Sequence, residues 1–403
     1  MRVIHRSAGA LLAGSLLLTG LVAAGSRADM TSAAGGGGSE AVAARRAADA
    51  AKLTITPANG ATKVRPDHGV SVKAAGGKLG AVVVKAGSKE VIGEFNADQT
   101  EWRSKWTLKP STSYAVTATA MNVEGKPTQA ASRFKTLKPG QTISASLDWI
   151  LAGNEGKQYG VGMPIILNFD QPVRNKSRVE EALEVHAAKP VDGAWRWLGD
   201  QQVIYRTKTY WPAHQKVTLT AHLAGVRAAK GVYGTKNFTR TFKIGESRIS
   251  KINLKTHKMT VRIDGKKKRS VPVSGGNGST TEYTTTSGTH LTMEKGNPTL
   301  MVSPGRQPGD PGYYKELISY AVRISNSGEY LHQTPGATYC LGHANCSHGC
   351  VRQPANDAIW FYKNVQPGDV VDVTGTKRGL DWDNGWSFWE MSWKKWKKGS
   401  ALD

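Results

Sequence analysis

The chain contains little cysteine and little acidic charge. Among its 403 residues only three are cysteine, and 31 Asp and Glu residues are set against 54 Lys and Arg residues. All three cysteines lie within positions 340–350, so we expect them to serve one local site and not to cross-link the fold. The shortage of acidic side chains leaves a formal net charge of +23, which favours a polyanionic partner such as nucleic acid, anionic lipid or an acidic wall polymer.

Long apolar runs are also scarce, and the main one lies near the start. Residues 8–24 are largely apolar and follow Arg2, His5 and Arg6, which is the layout of a secretory signal. Glycines interrupt this stretch, and it is short for a membrane span of about 20 residues, so cleavage is favoured over an uncleaved anchor. We therefore expect residues 1–28 to direct export to the outer face of the cytoplasmic membrane or the cell wall. Export argues against nucleic acid and favours anionic wall polymers.

The rest of the chain is organised as β-rich domains behind a flexible linker. Residues 29–51 are rich in Gly, Ala and Ser and lack the apolar spacing of a packed element. Short alternating stretches separated by Gly, Pro and Asn turns then predict one sandwich over 52–138. A similar succession about a hundred residues later predicts a second over 139–245, and both resemble bacterial immunoglobulin-like modules.

A third β-rich domain is expected over 246–375, followed by an extension over 376–403. The alternation continues in Lys258–Ile263 and ends near Val373. In the extension, the spacing of four tryptophans predicts one face of a helix, with lysines on the rest: Trp386, Trp389, Trp393 and Trp396. A membrane-surface helix is one interpretation. Packing of the tryptophans against a neighbouring domain is the favoured one.

The segment from His332 to Cys350 combines every cysteine with several histidines and ends in Ser-His-Gly-Cys. A thiol is a strong nucleophile only as thiolate, so its ordinary pKa of about 8.5 has to be lowered by an imidazolium or by amide dipoles. A glycine before the cysteine lets the backbone turn and direct N–H groups at an oxyanion. These residues predict a nucleophilic cysteine with a histidine nearby, although His-Gly-Cys alone also fits a buried turn with an inert thiol.

The state of the other cysteines is open from the residues alone. In an oxidising compartment Cys340 and Cys346 can close a small loop, which leaves Cys350 as the free thiol. Zinc is the alternative, with a crowded and irregular set of ligands: Cys340, His343, Cys346, His348 and Cys350. That alternative gives His332 no role.

The wider pattern resembles the L,D-transpeptidase catalytic domain of the YkuD type. The resemblance rests on His332, its distance along the chain from Cys350, the Ser347-His348-Gly349-Cys350 motif and the flanking strands. It extends from about Ser247 to Val373, and the sandwiches and the tail are similar to multidomain mycobacterial-type members. It implies a mainly β protein: two tandem immunoglobulin-like β-sandwiches, a YkuD-type β-sandwich catalytic domain and a short Trp-rich C-terminal extension.

The resemblance assigns a role to each matching position. It implies Cys350 as nucleophile, His332 as general base and the Gln333 carbonyl as the group that orients the imidazole. The amides of Gly349 and Cys350, with the hydroxyl of Tyr314 in a lid, are expected to form the oxyanion pocket. His348 is expected to hold the loop, and Arg352 to bind a stem-peptide carboxylate. Ser347 is expected to contact substrate, and Tyr330 and Met301 are expected to line the cleft.

The implied reaction is peptidoglycan crosslinking. Cys350 attacks the carbonyl of the L-centre of the diamino acid in a donor tetrapeptide, expels the terminal D-alanine and forms a thioester. An amine of a neighbouring stem then gives a 3-to-3 crosslink. No metal or organic cofactor is expected, and carbapenems are expected to acylate Cys350. The alternatives are an L,D-carboxypeptidase or crosslink hydrolase using the same site, and a wall-binding protein without catalysis.

Three positions depart from the family's pattern. Members often carry Thr-Pro-x-Gly where this chain has Thr285-Thr286-Ser287-Gly288, so the turn without proline is expected to differ. Gln333 follows the expected base where a small residue is common. Arg352 stands where mycobacterial-type members often have Asn. These departures leave donor preference open.

Overall fold

The computed structural model describes residues 50–148, 151, 157–303 and 305–402. The predicted signal peptide or anchor lies outside these residues, as does nearly all of the predicted linker. Strands predominate and the helices are short, so the prediction of a mainly β protein is confirmed. Over the described ranges no helix combines the length and apolar character needed to cross a membrane.

The first part of the described chain is a sandwich of two antiparallel sheets. Its strands are β1 Lys52–Thr56, β2 Ser71–Ala75, β3 Gly77–Ala86, β4 Lys89–Glu90, β5 Gly93–Phe95, β6 Glu101–Ser104, β7 Ser113–Asn122 and β8 Pro127–Lys135. The sheet orders are β1-β2-β6-β5 and β4-β3-β7-β8. Side chains of β7 alternate between exposed and buried, so one face packs on a core that includes Trp102, Tyr114 and Phe134.

A second sandwich follows. Its elements are β9 Gln141–Ile143, β10 Ala145–Leu147, β11 Gln158–Tyr159, β12 Ile165–Phe169, α1 Lys176–Glu180, β13 Leu183–Ala187, β14 Gly193–Leu198, β15 Gln202–Thr207, β16 Gln215–Ala221, β17 Arg227–Ala229, β18 Val232–Gly234 and β19 Phe238–Ile244. Two four-stranded sheets, β10-β12-β15-β14 and β11-β19-β16-β13, enclose a core containing Trp195, Trp197 and Trp211. A small third sheet has the order β17-β18-β9.

The third part of the chain contains the Cys–His segment. Its elements are β20 Arg248–Asn253, β21 Lys258–Ile263, β22 Lys266–Pro272, β23 Gly288–Leu291, β24 Lys295–Gly296, β25 Thr299–Val302, β26 Lys315–Ile318, β27 Ala321–Arg323, β28 Tyr330–Gln333, β29 Val351–Gln353, α2 Ala355–Asn364 and β30 Val370–Thr374. The larger sheet is β22-β21-β20-β30-β23, and the sheet that carries the segment is β24-β27-β28-β29. Strands β25 and β26 form a separate hairpin, which with Tyr314 is called the lid below.

A buried ion pair lies where the second sandwich meets the third part. The Arg248 guanidinium is 2.9 Å from the Asp369 carboxylate, and the two side chains are 7% and 3% exposed. Glu246 pairs with the same guanidinium at 2.7 Å, but its side chain is 48% exposed. Burial raises the pKa of Asp369 to about 6 even though Arg248 opposes that change. The turn before Asp369 also accepts a backbone hydrogen bond of 2.8 Å from Gly160 to Pro367.

Replacing Asp369 by alanine is expected to lower the free energy of unfolding by about 3 kcal/mol or more, because it leaves a buried guanidinium without its buried partner. Glu246→Ala is the matched control, since it removes the exposed carboxylate from the same guanidinium and should cost less than about 1 kcal/mol. Denaturant titration at neutral pH measures both. Equal losses for the two variants would contradict the role assigned to burial.

The C-terminal extension packs on the second sandwich around a buried arginine. Arg206 is 2% exposed, and its guanidinium lies 4.8–5.4 Å from the ring centres of Trp389, Trp393 and Trp396. It donates to the Met391 carbonyl at 2.7 Å, and burial lowers its pKa to about 10. The lysines of this segment remain exposed. The tryptophans therefore form packing contacts.

The continuous helix expected from the tryptophan spacing is wrong. The extension contains a 3-10 turn, Phe388–Glu390, and a short helix α3, Trp393–Lys397. Met391 between them is extended, with φ −83° and ψ 129°. Ser392 then begins α3, because its side chain accepts a hydrogen bond from the Lys395 amide. Tertiary packing on the sandwich, rather than helical periodicity, places the aromatic rings.

Candidate active site

Cys350 lies immediately before β29, which pairs in parallel with β28. The register places Leu331 opposite Val351 and His332 opposite Arg352. Leu331 and Val351 are fully buried in the core, so the alternation of side chains turns His332, Arg352 and Cys350 to the other face. From the ordinary strand spacing and rise, the Cα atoms of His332 and Cys350 are about 8 Å apart. A thiol and an imidazole can meet across that diagonal.

His332 is held in one orientation by its own strand. Its Nδ1 lies 2.5 Å from the Gln333 carbonyl oxygen, and a carbonyl only accepts, so Nδ1 carries the proton and Nε2 is free to act as a base. Burial lowers the pKa of His332 to about 4, helped by the charge of Arg352 and opposed by the hydrogen bond to Gln333. The imidazole is therefore neutral at pH 7. This is the geometry expected for the base and its orienting carbonyl.

The Cys350 thiol is also neutral at pH 7. Burial raises its pKa to about 12; the charge of Glu329 acts in the same direction, while a backbone hydrogen bond from Tyr330 and the charge of Arg352 oppose it. The sulfur donates to the Gly328 carbonyl, 3.7 Å away. The expectation of a lowered thiol pKa is thus wrong for this site, because desolvation outweighs the nearby positive charge. Proton transfer must accompany attack, which requires a general base.

The backbone before Cys350 is held by hydroxyl groups. Ser347 donates from Oγ to the Cys350 carbonyl at 2.6 Å and accepts from the Gly349 amide at 3.1 Å. Thr285 donates to the Gly349 carbonyl at 2.6 Å. Gly349 has φ +131°, a conformation that an L side chain would strain. Hydrogen bonds from the Ser347 and Thr285 side chains therefore hold the backbone around Gly349 in place.

These contacts correct two expectations about the loop. The Gly349 N–H is already used within the loop, so in this conformation it does not complete an oxyanion pocket, and the predicted donors that remain are the Cys350 amide and the Tyr314 hydroxyl. Ser347 is 1% exposed, and both roles of its hydroxyl are taken up by the loop. It positions Cys350 and leaves no exposed hydroxyl for the substrate contact expected of it.

The lid packs over the nucleophile. Met301 belongs to a small buried cluster against which Tyr314, Tyr330 and Cys350 pack, so the residues expected to line the cleft do lie together. Burial raises the pKa of Tyr314 to about 12, and the charge of Cys350 contributes to that shift. Tyr314 is thus close to the sulfur and keeps its proton, as a hydrogen-bond donor to an oxyanion requires.

His348 is part of an aromatic stack that connects the motif to the lid. Its ring is parallel to that of Tyr314 with centres 5.0 Å apart, and the Tyr283 ring is tilted against it at 4.8 Å. Burial lowers its pKa, and the charge of Arg352 lowers it further. A neutral ring between two tyrosines fits the predicted structural role.

Arg352 faces a cavity of 540 Å³ beside this site. The cavity is lined by Glu316, Leu317 and Ile318 of the lid, by residues 335–337 and by Arg352. Over the described residues the Arg352 Nε atom has no hydrogen-bond partner. The contact expected between Arg352 and a stem-peptide carboxylate stays a prediction.

A buried polar network behind the nucleophile was missed from the sequence. The Glu329 carboxylate accepts from the Thr286 amide and hydroxyl, both at 2.7 Å, and the same hydroxyl lies 2.8 Å from His290 Nε2. Burial raises the pKa of Glu329, but His290, whose Nε2 lies 3.6 Å from the carboxylate, and hydrogen bonds from Thr286 outweigh burial and lower the pKa. Thr286 stands at the departure from Thr-Pro-x-Gly, and a proline there has no N–H to give. The missing proline was therefore the sequence feature from which this network could have been predicted.

Cys340 and Cys346 form a disulfide, and Cys350 is the free cysteine. The bond uses two of the five ligands that the zinc alternative needs. The Cys340–Cys346 loop is also anchored by Asn345, whose side chain accepts from the Gly275 amide at 2.9 Å and donates to the Leu254 carbonyl at 3.0 Å. These contacts fix the backbone that leads to the nucleophile.

Comparison with known proteins identifies the family. Residues 247–373 match the L,D-transpeptidase catalytic domain, and residues 61–227 match a bacterial Ig domain. L,D-transpeptidase 2 of Mycobacterium tuberculosis is 31% identical over 354 residues, 87% of this chain and 85% of that protein. The chain belongs to the L,D-transpeptidase family. It is accordingly an enzyme, an L,D-transpeptidase of peptidoglycan, and the predicted resemblance is confirmed.

One further relative and one solved structure are also similar to the chain. L,D-transpeptidase 5 of Mycobacterium tuberculosis is 32% identical over 365 residues, 89% of this chain and 79% of that protein. A crystal structure of L,D-transpeptidase 3 from the same organism with a faropenem-derived adduct is 29% identical, with a TM-score of 0.47, and the match covers 57% of this chain and 98% of that one. The Ig match runs from the first sandwich into the second without dividing them, so the predicted boundary between 138 and 139 stays a prediction.

Proposed function

We propose that this enzyme forms 3-to-3 crosslinks in peptidoglycan through a thioester on Cys350. The observation that carries the proposal is the free Cys350 thiol on the same strand face as His332, whose Nδ1 is bound to the Gln333 carbonyl. The pair supplies a nucleophile and a base in a chain of the L,D-transpeptidase family. Neither half of the reaction involves a metal or an organic cofactor.

In the first half, His332 removes the thiol proton as sulfur attacks the L-centre carbonyl of the donor. The C–S bond forms, and the negative oxygen is stabilised by the Cys350 amide and the Tyr314 hydroxyl. His332 then passes the proton to the departing amine of D-alanine as the C–N bond breaks. A thioester remains on Cys350.

In the second half, an amine of a neighbouring stem attacks the thioester. The C–N bond forms, the C–S bond breaks, and the amine proton returns through His332 to sulfur. Water in place of the amine would make the enzyme a carboxypeptidase or a hydrolase. The lid packs Met301 and Tyr314 over the site, and the exclusion of water favours transfer to an amine.

The positive surface supports a wall location for this reaction. The net charge is +23, and Lys266, Lys267 and Lys268 are exposed on β22, an edge strand of the larger sheet of the third part. Such a surface attracts anionic wall polymers. Together with the signal-like first residues, this charge supports the proposal that the enzyme acts outside the cytoplasmic membrane, in contact with the wall.

Incubation of the enzyme with a donor tetrapeptide tests the proposal. We expect the intact protein to gain the mass of the tetrapeptide less D-alanine, with one D-alanine released for each thioester formed. Addition of an acceptor stem should remove the adduct and give a crosslinked product. A carbapenem should add its own mass, because a strained acyl donor reacts with the same thiol. An unmodified protein and no D-alanine release would contradict the proposal.

A further inference from the structure

The buried polar network behind the nucleophile connects the larger sheet of the third part to the sheet that carries the Cys–His segment. His290 lies on β23 of the larger sheet, and Glu329 directly precedes β28 of the other. The Thr286 hydroxyl lies between them, 2.7 Å from Glu329 Oε2 and 2.8 Å from His290 Nε2. The exposed fractions of Glu329, Thr286 and His290 are 4%, 1% and 0%. These three residues therefore have to satisfy one another.

The hydrogen bonds of the network determine where its protons lie. The Gly288 carbonyl is 3.1 Å from His290 Nδ1 and only accepts, so Nδ1 carries a proton. Burial raises the pKa of Glu329, but His290 and Thr286 outweigh burial and lower it, which keeps the carboxylate ionised. The single proton of the Thr286 hydroxyl is then donated to Glu329, and His290 Nε2 has to donate to the hydroxyl oxygen. Both nitrogens of the imidazole are thus protonated, and the network has no net charge.

The backbone on either side of Glu329 contacts the nucleophile. The Gly328 carbonyl accepts from the Cys350 thiol at 3.7 Å, and the Tyr330 backbone amide donates to the sulfur. Burial raises the pKa of Cys350, and the negative charge of Glu329 raises it further. A carboxylate without a positive partner at this position would therefore oppose the negative charge that develops on sulfur when His332 removes the proton.

We propose that His290 is a positioning residue of the nucleophile, because as an imidazolium it neutralises Glu329 through the Thr286 hydroxyl. The neutral network holds the two backbone groups that contact sulfur and leaves no net negative charge beside the developing thiolate. His290 is fully buried and does not itself contact substrate. The inference rests on the proposed thioester function and adds a residue that acts on it through the surroundings of the nucleophile.

Two glutamine variants change the charge of the network and keep its hydrogen bonds. In Glu329→Gln the new amide accepts from the Thr286 amide and donates to its hydroxyl, which then donates to a neutral His290. The second-order rate constant for acylation by a carbapenem should stay within about threefold of wild type, less than the effect of one pKa unit. In His290→Gln the buried carboxylate loses its positive partner, so the rate constant should fall about tenfold or more.

The double variant separates charge from packing. His290→Gln combined with Glu329→Gln has no charged group in the network, so it should recover most of the rate lost in His290→Gln alone. A purely structural role predicts a further loss, because a second substitution in a packed interior usually destabilises. Asp369→Ala is the matched control, since it breaks a buried ion pair outside the network. It should lower the unfolding temperature and leave the acylation rate unchanged.

The protonation of His290 can be observed directly by NMR of protein that contains isotope-labelled histidine. The His290 signals are assigned by their absence from the spectrum of His290→Gln or, if that variant does not fold, of His290→Asn. At neutral pH the wild type should show protons on both ring nitrogens of His290. Glu329→Gln should show a proton on Nδ1 alone.

Two results would overturn the inference. A His290 ring with a single proton in the wild type would remove the imidazolium. A double variant as slow as His290→Gln, or slower, would show that the network does not act through its charge. In both cases the wild type still forms its adduct on Cys350, whereas the absence of any adduct on the wild type would contradict the proposed function instead. Thermal unfolding confirms the fold of each variant.

Discussion

Replacing Cys350 by alanine should abolish covalent modification of the enzyme by both a donor tetrapeptide and a carbapenem. The variant lacks the atom to which the acyl group attaches, and His332 cannot substitute for it. Release of D-alanine should fall by about 10⁴-fold or more, as expected when the nucleophile of a covalent mechanism is removed. Intact-protein mass spectrometry and a D-alanine assay measure the two effects.

The other two cysteines supply the matched control. Cys340 and Cys346 are joined to each other, so the double variant Cys340→Ser, Cys346→Ser loses the disulfide but keeps the free thiol. It should still acquire the full acyl mass. An adduct on the Cys350→Ala protein, or its loss in the double serine variant together with a normal fold, would move the nucleophile away from Cys350.

His332→Gln is expected to lower the rate of acylation by about 10²–10⁴-fold, the usual contribution of a general base. Glutamine keeps a polar group of similar size but accepts no proton. His348→Gln is the matched control, because the His348 ring is stacked on Tyr314, contacts Tyr283 at a tilt and has no assigned part in proton transfer. It should cost less than about tenfold. Similar losses for the two variants would contradict the assignment of His332 as the base.

The same proton transfer fixes the pH dependence of acylation. An imidazole acts as a base only when neutral, and His332 is neutral above its pKa, which burial lowers to about 4. The thiol of Cys350 stays protonated up to its pKa of about 12, so it adds no step at neutral pH. The second-order rate constant should be nearly constant from about pH 5.5 to 9 and fall below about pH 4. A change in the rate constant between about pH 6.5 and 8.5 would indicate a thiolate–imidazolium pair instead.

Much of the strand content followed from side-chain alternation. The predicted strand Lys258–Ile263 coincides with β21. A half-buried strand repeats every two residues, which short segments display clearly. The prediction of one helical face in the C-terminal extension was wrong, because Met391 interrupts the helical period and the tryptophans pack on a sandwich that is distant in sequence.

The identity of the site residues came from the motif, but their state did not. The resemblance to the L,D-transpeptidase family predicted Cys350 and His332, and the register between β28 and β29 brings them to one face. The thiol pKa was expected to fall and rises instead, because desolvation depends on what covers the sulfur. In the same way, the Gly349 amide was predicted to be free, yet the Ser347 hydroxyl occupies it.

The sequence by itself predicted the mainly β architecture, which depends on local period, and its resemblance to the L,D-transpeptidase family indicated Cys350 as nucleophile and His332 as base. The tertiary structure decided which donors remain for an oxyanion, that thiol and imidazole are both neutral at rest, and that Glu316 of the lid shares a cavity with Arg352. Those properties arise from burial and from contacts between segments far apart in the chain. Electrostatic free energy depends on the surroundings of a charge and on its distance to other charges, and the order of residues gives neither.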